Sequence, residues 1–239
     1  MNEKEINIPV HEFDQMRGYY VVGGEKYDRV TSVIGIIDKG FELKNWFMKH
    51  GEKAREIAKQ RGDYGQIFHQ RVEEYLHGIK YPKILPNMTD DFDEFLNFMD
   101  EHVVEMGQTE TMIFSEKHKY AGILDFCGYV DNDLVVIDWK TSGGIWDENL
   151  LQLCAYVNAL HEMTGKKVDY GCVFSVKNGD SQFKKFRFDD LISLMDVFLS
   201  AQKIYRFKQQ KNVTRLTSGL EKQIKKLTGV NKDESGKKV

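Results

Sequence analysis

Gly122-Ile123-Leu124-Asp125 and, after a short loop, Leu134-Val135-Val136-Ile137-Asp138-Trp139-Lys140 decide how this chain is read. The second run is apolar from Leu134 to Ile137, as for a strand covered on both faces, and then ends in charges. Alternate residues of a strand share a face, so Asp138 and Lys140 point one way while Ile137 and Trp139 point into the core. A two-residue loop at Asp131-Asn132 sets Asp125 directly opposite Asp138, their Cβ atoms about 5 Å apart. A three-residue loop without a bulge would send the two carboxylates to opposite faces. Paired on one face and uncompensated, they repel and resist ionisation. A divalent cation removes that conflict, and Mg²⁺ favours one or two carboxylates together with waters and phosphate oxygens. The Lys140 ammonium can then hold an attacking water or offset charge growing on a phosphate.

Outward from this pair, β-type runs are expected at Thr111–Ser115, Ile123–Val130 and Leu134–Trp139, and a further pair at Tyr170–Val176 and Gln182–Phe188 around Asn178-Gly179-Asp180. Upstream, Tyr19 to Val22, the Gly23-Gly24 pair and a return around Tyr27 read as a hairpin, because glycine supplies the positive φ of a tight turn. Thr31 or Ser32 can cap a short helix through Ile37. Apolar residues at helical spacing predict helices from Leu43 to Gln60, interrupted at Gly62, then Tyr64 to Leu76, Asp90 to Met106, Asn149 to Met163, and Asp189 to about Gln210. The order of helices, three strands, helix, two strands and helix gives an α/β fold, a mixed sheet packed between helices.

The 239 residues are 41% hydrophobic, enough for a substantial core and too apolar for wholesale disorder. No run approaches the roughly 18 apolar residues of a membrane span, and Met1 to Val10 lacks the apolar stretch of a secretion signal. Cys127, Cys154 and Cys172 are an odd number without close spacing, which fits neither a disulfide framework nor a four-cysteine cluster. A soluble, cytoplasmic protein is expected. From Lys203 onward, eleven basic residues face three acidic ones, a net +8 that leaves −11 on the first 202 residues. Such asymmetry suits a polyanion partner. Lys203, Arg206, Lys208, Lys211 and Arg215, with Tyr205 and Phe207 between them, form a stripe suited to backbone neutralisation and base stacking on single-stranded DNA.

The glycine-led Gly122-X-X-Asp125, the Asp138-X-Lys140-Thr141 that ends an apolar strand, and the Gln152-X-X-X-Tyr156 that follows resemble the PD-(D/E)XK nuclease superfamily, in particular its RecB-like exonuclease branch of phage and bacteria. His69 after Gly65 matches the upstream histidine of that branch, and Glu116 its acidic residue on the preceding strand. The likeness spans roughly residues 28 to 160. It departs at Leu124, where the signature of the family name has proline.

The resemblance implies a restriction-endonuclease-like mixed sheet flanked by helices, with an N-terminal helical region and a C-terminal basic helical extension. Residues 1–210 would form one nuclease domain: a helical part 31–106, a catalytic core 110–188 and a closing helix 189–210. Residues 211–239 would be a basic extension, partly disordered. Asp125 and Asp138 would ligate Mg²⁺ or Mn²⁺ together with the Trp139 carbonyl, and His69 would be a ligand or near neighbour. Lys140 would orient the nucleophilic water. Gln152 and Tyr156, four apart on one helix face, would support the site or touch the DNA backbone, and Glu116 would support it in turn. The implied reaction is phosphodiester hydrolysis leaving a 5′-phosphate, by a DNA exonuclease of recombination, repair or phage DNA processing in a bacterial or phage-infected cell. A structure-specific endonuclease and a catalytically silent DNA-binding protein are the alternatives. The substrate would be single-stranded DNA or DNA ends, and a homo-oligomer or a recombination-protein partner stays open. His50, His77, His102, His118 and His161 have no comparable context and read as structural.

Overall fold

The computed structural model describes residues 6–37 and 40–210. Eight strands form one mixed sheet. Its N-terminal wing is an antiparallel meander, β1 (Phe13–Met16), β2 (Tyr19–Val22) and β3 (Glu25–Arg29), with the expected turn at Gly23-Gly24, both at positive φ. Helices α1 (Val30–Ile34), α2 (Gly40–His50), α3 (Ala54–Leu76) and α4 (Thr89–Glu101) follow. The central strands are β4 (Val104–Ser115), β5 (Tyr120–Val130) and β6 (Asp133–Lys140). Then come α5 (Asp147–Thr164), β7 (Tyr170–Lys177), β8 (Asp180–Arg187), α6 (Phe188–Ile192) and a last helix, α7, over 195–210. No helix among the described residues is long and apolar enough to cross a membrane.

Asp131 and Asn132 both take positive φ, 53° and 71°, the backbone of a two-residue hairpin whose twist matches its strands. The β5–β6 register follows: Val130 faces Asp133, and the ladder ends at Phe126 opposite Ile137, one step short of Asp125 and Asp138. β6 then runs parallel to β7, Asp138 beside Val173 and Lys140 beside Ser175.

Two apolar layers sandwich the sheet. On one face α5 lays Leu153, Tyr156, Val157 and Leu160 over Leu124, Val136 and Val173, joined by α1 and α7. On the other, Phe68, Val72 and Leu76 of α3 and Phe92, Phe95 and Phe98 of α4 cover Phe126, Ile137, Trp139 and Phe174. A smaller cluster, Tyr20, Val22, Tyr27, Met112 and Ala121, anchors the N-terminal wing.

Several helical expectations change. The helix expected from Leu43 to Gln60 is split, α2 ending at His50 and α3 starting at Ala54 after a tighter turn at Gly51–Lys53, and the one expected from Asp189 to about Gln210 is split where α6 ends at Ile192 and α7 starts at 195. Gly62 does not interrupt a helix, because α3 runs unbroken through it; the roughly 1 kcal/mol cost of glycine in a helix is offset by the apolar face that α3 docks on the sheet. α4 stops at Glu101 rather than Met106. There His102 Nδ1 lies 2.6 Å from Asp131 Oδ2, and the Val103 amide donates to Asp131 Oδ1, which turns the chain into β4 seven residues earlier than expected. Arg29, not Thr31 or Ser32, occupies the cap position of α1, and no side chain caps it.

Candidate active site

β4 and β5 pair continuously from Ser115–Tyr120 to Thr111–Leu124 and again from Thr109–Phe126, but skip Glu110 and Asp125. Glu110 has a φ of 44°, a left-handed backbone rare for a residue with a side chain. The strands change face at this point: Leu124 packs with α5 while Phe126, two residues on, packs with α3 and α4. Meanwhile β3 pairs with β5 only at Tyr120 and Ala121, and β6 joins from Phe126 onward. The edge of β5 between them is left without a strand, and that gap holds the site.

Asp125 fills it. One carboxylate oxygen accepts from the Trp139 amide at 2.8 Å, replacing the strand partner this amide lacks. The other lies 3.5 Å from His69 Nδ1 on α3. Gly65, one turn before His69, packs so near the end of β6 that a methyl there would sit 3.3 Å from Thr141 Oγ1, and this closeness brings His69 within reach of β5. The Nδ1 of His69 and carboxylate oxygens of Glu110 and Asp125 lie within 4.8 Å of one another, a set that could hold a metal ion.

Behind it stands a second, buried set. Asp138 has no exposed surface. Its Oδ1 accepts from Lys140 Nζ at 2.7 Å and from Gln152 Nε2 at 2.8 Å, and Gln152 also donates to the Tyr156 hydroxyl at 3.2 Å. Asp138 Oδ2 is 2.7 Å from the same ammonium but has no hydrogen bond, so one lone-pair face of a fully buried carboxylate remains unsatisfied. That atom, with the His69–Glu110–Asp125 set, is the donor chemistry a hard divalent cation takes, and the residues fit such a group.

Gly122 explains the glycine of the motif. A β-carbon there would lie 2.5 Å from Cε1 of the buried Tyr156 ring, so the ring rests directly on the β5 backbone and carries Gln152 to Asp138.

The titrations split accordingly. Burial would raise Asp125, but the charge and hydrogen bond of His69, then Lys140 and the Trp139 amide, hold it below the usual carboxylate range. Burial pushes Asp138 up, Lys140 offsets this only in part, and the negative charge of Asp125 adds to the rise. Desolvation pulls His69 down, but Asp125 outweighs it and leaves the imidazole above its ordinary value. Lys140 likewise rises, its two carboxylate neighbours overcoming desolvation. Glu110 is pushed up to about 7 by desolvation and then by the negative charge of Asp125.

Of the residues named from sequence, His69, Asp125, Asp138, Trp139, Lys140, Gln152 and Tyr156 converge here. Trp139 is seen to contribute its amide, to Asp125. Glu116 does not converge. It sits in the β4–β5 turn, bonded to the Tyr27 hydroxyl and to Lys119, about 17 Å of strand from Asp125. Glu110 stands where Glu116 was expected. With the strand begun at Thr111, Glu110 falls outside it, and the Thr111–Leu124 register that sets it level with Asp125 is read only from the structure.

Arg206 is also placed elsewhere. Its guanidinium pairs with the buried Asp28 and donates to the carbonyls of His118 and Lys119, a latch from α7 to β3 and the β4–β5 turn. The Tyr205 ring is buried, with its hydroxyl on the Gly18 carbonyl, so it offers no stacking face. Lys203 and Lys208 are exposed on α7. Lys211 and Arg215, with the rest of the basic extension, lie outside the described residues.

Between the ordinary glutamate value and about 7, folded Glu110 holds a proton that the unfolded chain has released, so its contribution to stability falls as pH rises through that window. A bound cation replaces that proton. Mn²⁺ is therefore expected to raise the melting temperature more at pH 8 than at pH 6. Glu110→Gln should flatten this difference and Glu116→Gln should leave it intact. Equal shifts at both pH values in the wild type would remove Glu110 from the ligand set.

The chain matches no protein-family model. It is 24% identical over 170 residues to mitochondrial genome maintenance exonuclease 1 of Xenopus tropicalis, across 65% of this chain and 49% of the relative. The chain thus spans about half the length of that protein. Among solved structures it is similar to an alkaline exonuclease from Laribacter hongkongensis, with a TM-score of 0.37 and 14% identity over 82% of this chain and 94% of that one. The same enzyme in complex with dAMP gives a TM-score of 0.40 at the same identity and coverage. The sequence relative and these structural neighbours are exonucleases.

Proposed function

We propose that this chain is a divalent-cation-dependent deoxyribonuclease of the PD-(D/E)XK type that hydrolyses phosphodiester bonds of single-stranded DNA or DNA ends, in recombination, repair or phage DNA processing. The observation that carries the reading is the convergence of His69, Glu110 and Asp125 at the break in β5, backed by the Asp138–Lys140–Gln152 network. The exonuclease relative supports the exonuclease form of it.

His69, Glu110, Asp125 and the open oxygen of Asp138 would hold Mg²⁺ or Mn²⁺, which supplies positive charge against the phosphoryl oxygens as negative charge builds there. Lys140 stays protonated between Asp138 and Asp125 and has two further N–H donors with which to hold the attacking water or a phosphate oxygen. Gln152 keeps Asp138 from rotating, and Tyr156 keeps Gln152 in place. Burial of this second set makes each of its dipoles stronger than it would be in water.

The test is digestion of end-labelled linear DNA and closed circles, single- and double-stranded, with Mg²⁺ and with EDTA. Linear DNA should shorten from an end, circles should survive, and EDTA should stop the reaction. Wild-type cleavage persisting in EDTA would overturn the cation requirement, and cut circles would replace the exonuclease by an endonuclease.

A further inference from the structure

Trp146 lies six residues past Lys140, and its indole is about half exposed, at 51%. Its backbone is fixed on both sides. The Trp146 amide donates to Asn149 Oδ1 at 2.8 Å and the Asn149 amide returns to the Trp146 carbonyl at 2.9 Å, a reciprocal closure of the first turn of α5. The ring lies across Gly144, where a methyl would sit 3.1 Å from its Cζ2. The Gly144 carbonyl in turn accepts from Ser175 Oγ at 3.2 Å, and Ser175 is the ladder partner of Lys140. Beside this loop runs Lys177, exposed, its stem so close to Gly143 that a methyl there would lie 2.7 Å from its Cδ. Strand alternation puts Asp138, Lys140, Ser175 and Lys177 on one face. A loop closed at Trp146 and pinned at Gly144 to Ser175, the ladder partner of Lys140, therefore carries a half-exposed aromatic ring, with a lysine at its flank.

We propose that Trp146 is a stacking platform for an unpaired base next to the scissile phosphate, and that Lys177 takes a neighbouring phosphate of the same strand. The inference rests on the nuclease reading and adds a subsite to it. A base offers a flat π-face whatever its identity, so the platform is indifferent to sequence. It needs that face free, which an intact duplex denies. A fixed backbone lets the ring bind without first paying to order the loop.

The experiment compares binding of a fluorescein-labelled oligothymidylate with an abasic strand of the same length, in Ca²⁺, for wild type, Trp146→Ala, Trp146→Phe and Lys177→Gln. Wild type should prefer the base-bearing strand about tenfold. Trp146→Ala should lose that preference and bind both strands as wild type binds the abasic one, while Trp146→Phe keeps most of it. Lys177→Gln should weaken both strands alike and lower the salt slope by about one. In cleavage, Trp146→Ala should raise KM with little change in kcat. A base-to-abasic ratio unchanged in Trp146→Ala would overturn the platform while leaving the nuclease intact. A wild type that neither binds nor cuts DNA would overturn the nuclease reading itself. A wild type that prefers duplex to the single strand would also end the proposal.

Discussion

Asp138→Asn is expected to lower hydrolysis by about a thousandfold or more while the protein stays folded, with a smaller loss of stability than Lys140→Ala because Asp125 remains beside the ammonium. The asparagine has the same shape and keeps an oxygen to accept from Gln152, so the Asp138–Gln152–Tyr156 chain survives. Only the charge that holds Lys140, and the open oxygen for a cation, are lost. Lys140→Ala should remove activity to a similar extent but also cost stability, about 3–5 kcal/mol, because it strands a fully buried carboxylate without its counter-charge. That cost depends on pH in a fixed direction. Burial already raises Asp138, and without Lys140 it rises further. The folded variant then holds its proton to higher pH than the unfolded chain, so its stability falls as pH rises and recovers as pH is lowered. Thermal melts of both variants across pH 5 to 8, beside the end-labelled assay, separate the two effects. Full activity in Asp138→Asn would end the assignment of this carboxylate to the chemistry.

Gly122→Ala should be nearly as damaging, although glycine touches nothing chemical. Its β-carbon would press on the Tyr156 ring at 2.5 Å, and Tyr156 is buried in the core cluster between α5 and the sheet. Overpacking of this kind costs about 1–3 kcal/mol. Any relief by moving α5 carries Gln152 away from Asp138, so activity should fall at least tenfold. Gly122→Ala combined with Tyr156→Leu should recover much of the stability but not the activity, since the clash is gone and so is the group that holds Gln152. A Gly122→Ala protein with wild-type melting and wild-type rate would show that the β5–α5 contact does not position Gln152.

Much of the architecture can be read without coordinates. The uninterrupted apolar run of β6, the polar pair at Asp131-Asn132 and the spacing of Asp138, Lys140, Gln152 and Tyr156 are local features, and local rules of alternation, turn chemistry and helical spacing are enough to place them. The same rules err where a neighbour overrides them. Gly62 reads as a break but lies within a helix docked on the sheet, and the end of α4 is set by Asp131, 29 residues further along. Arg206 looks like a phosphate ligand in a basic stripe, yet Asp28, 178 residues away, takes its guanidinium.

What the sequence alone carried is the spacing that aligns Asp125 with Asp138 across a two-residue loop, together with the lysine and glutamine that serve the second carboxylate; that the loop at Asp131-Asn132 is the two-residue one is read from the structure. Only the tertiary structure decided which further acid joins them. The strained backbone of Glu110 and the change of face at Asp125 arise where β5 passes from one partner strand to the next, and strand alternation carries no trace of such a break. Glu110 enters the site because a sheet edge opens there, and Glu116, with the same side chain, stays out because Lys119 and Tyr27 hold it in a distant turn.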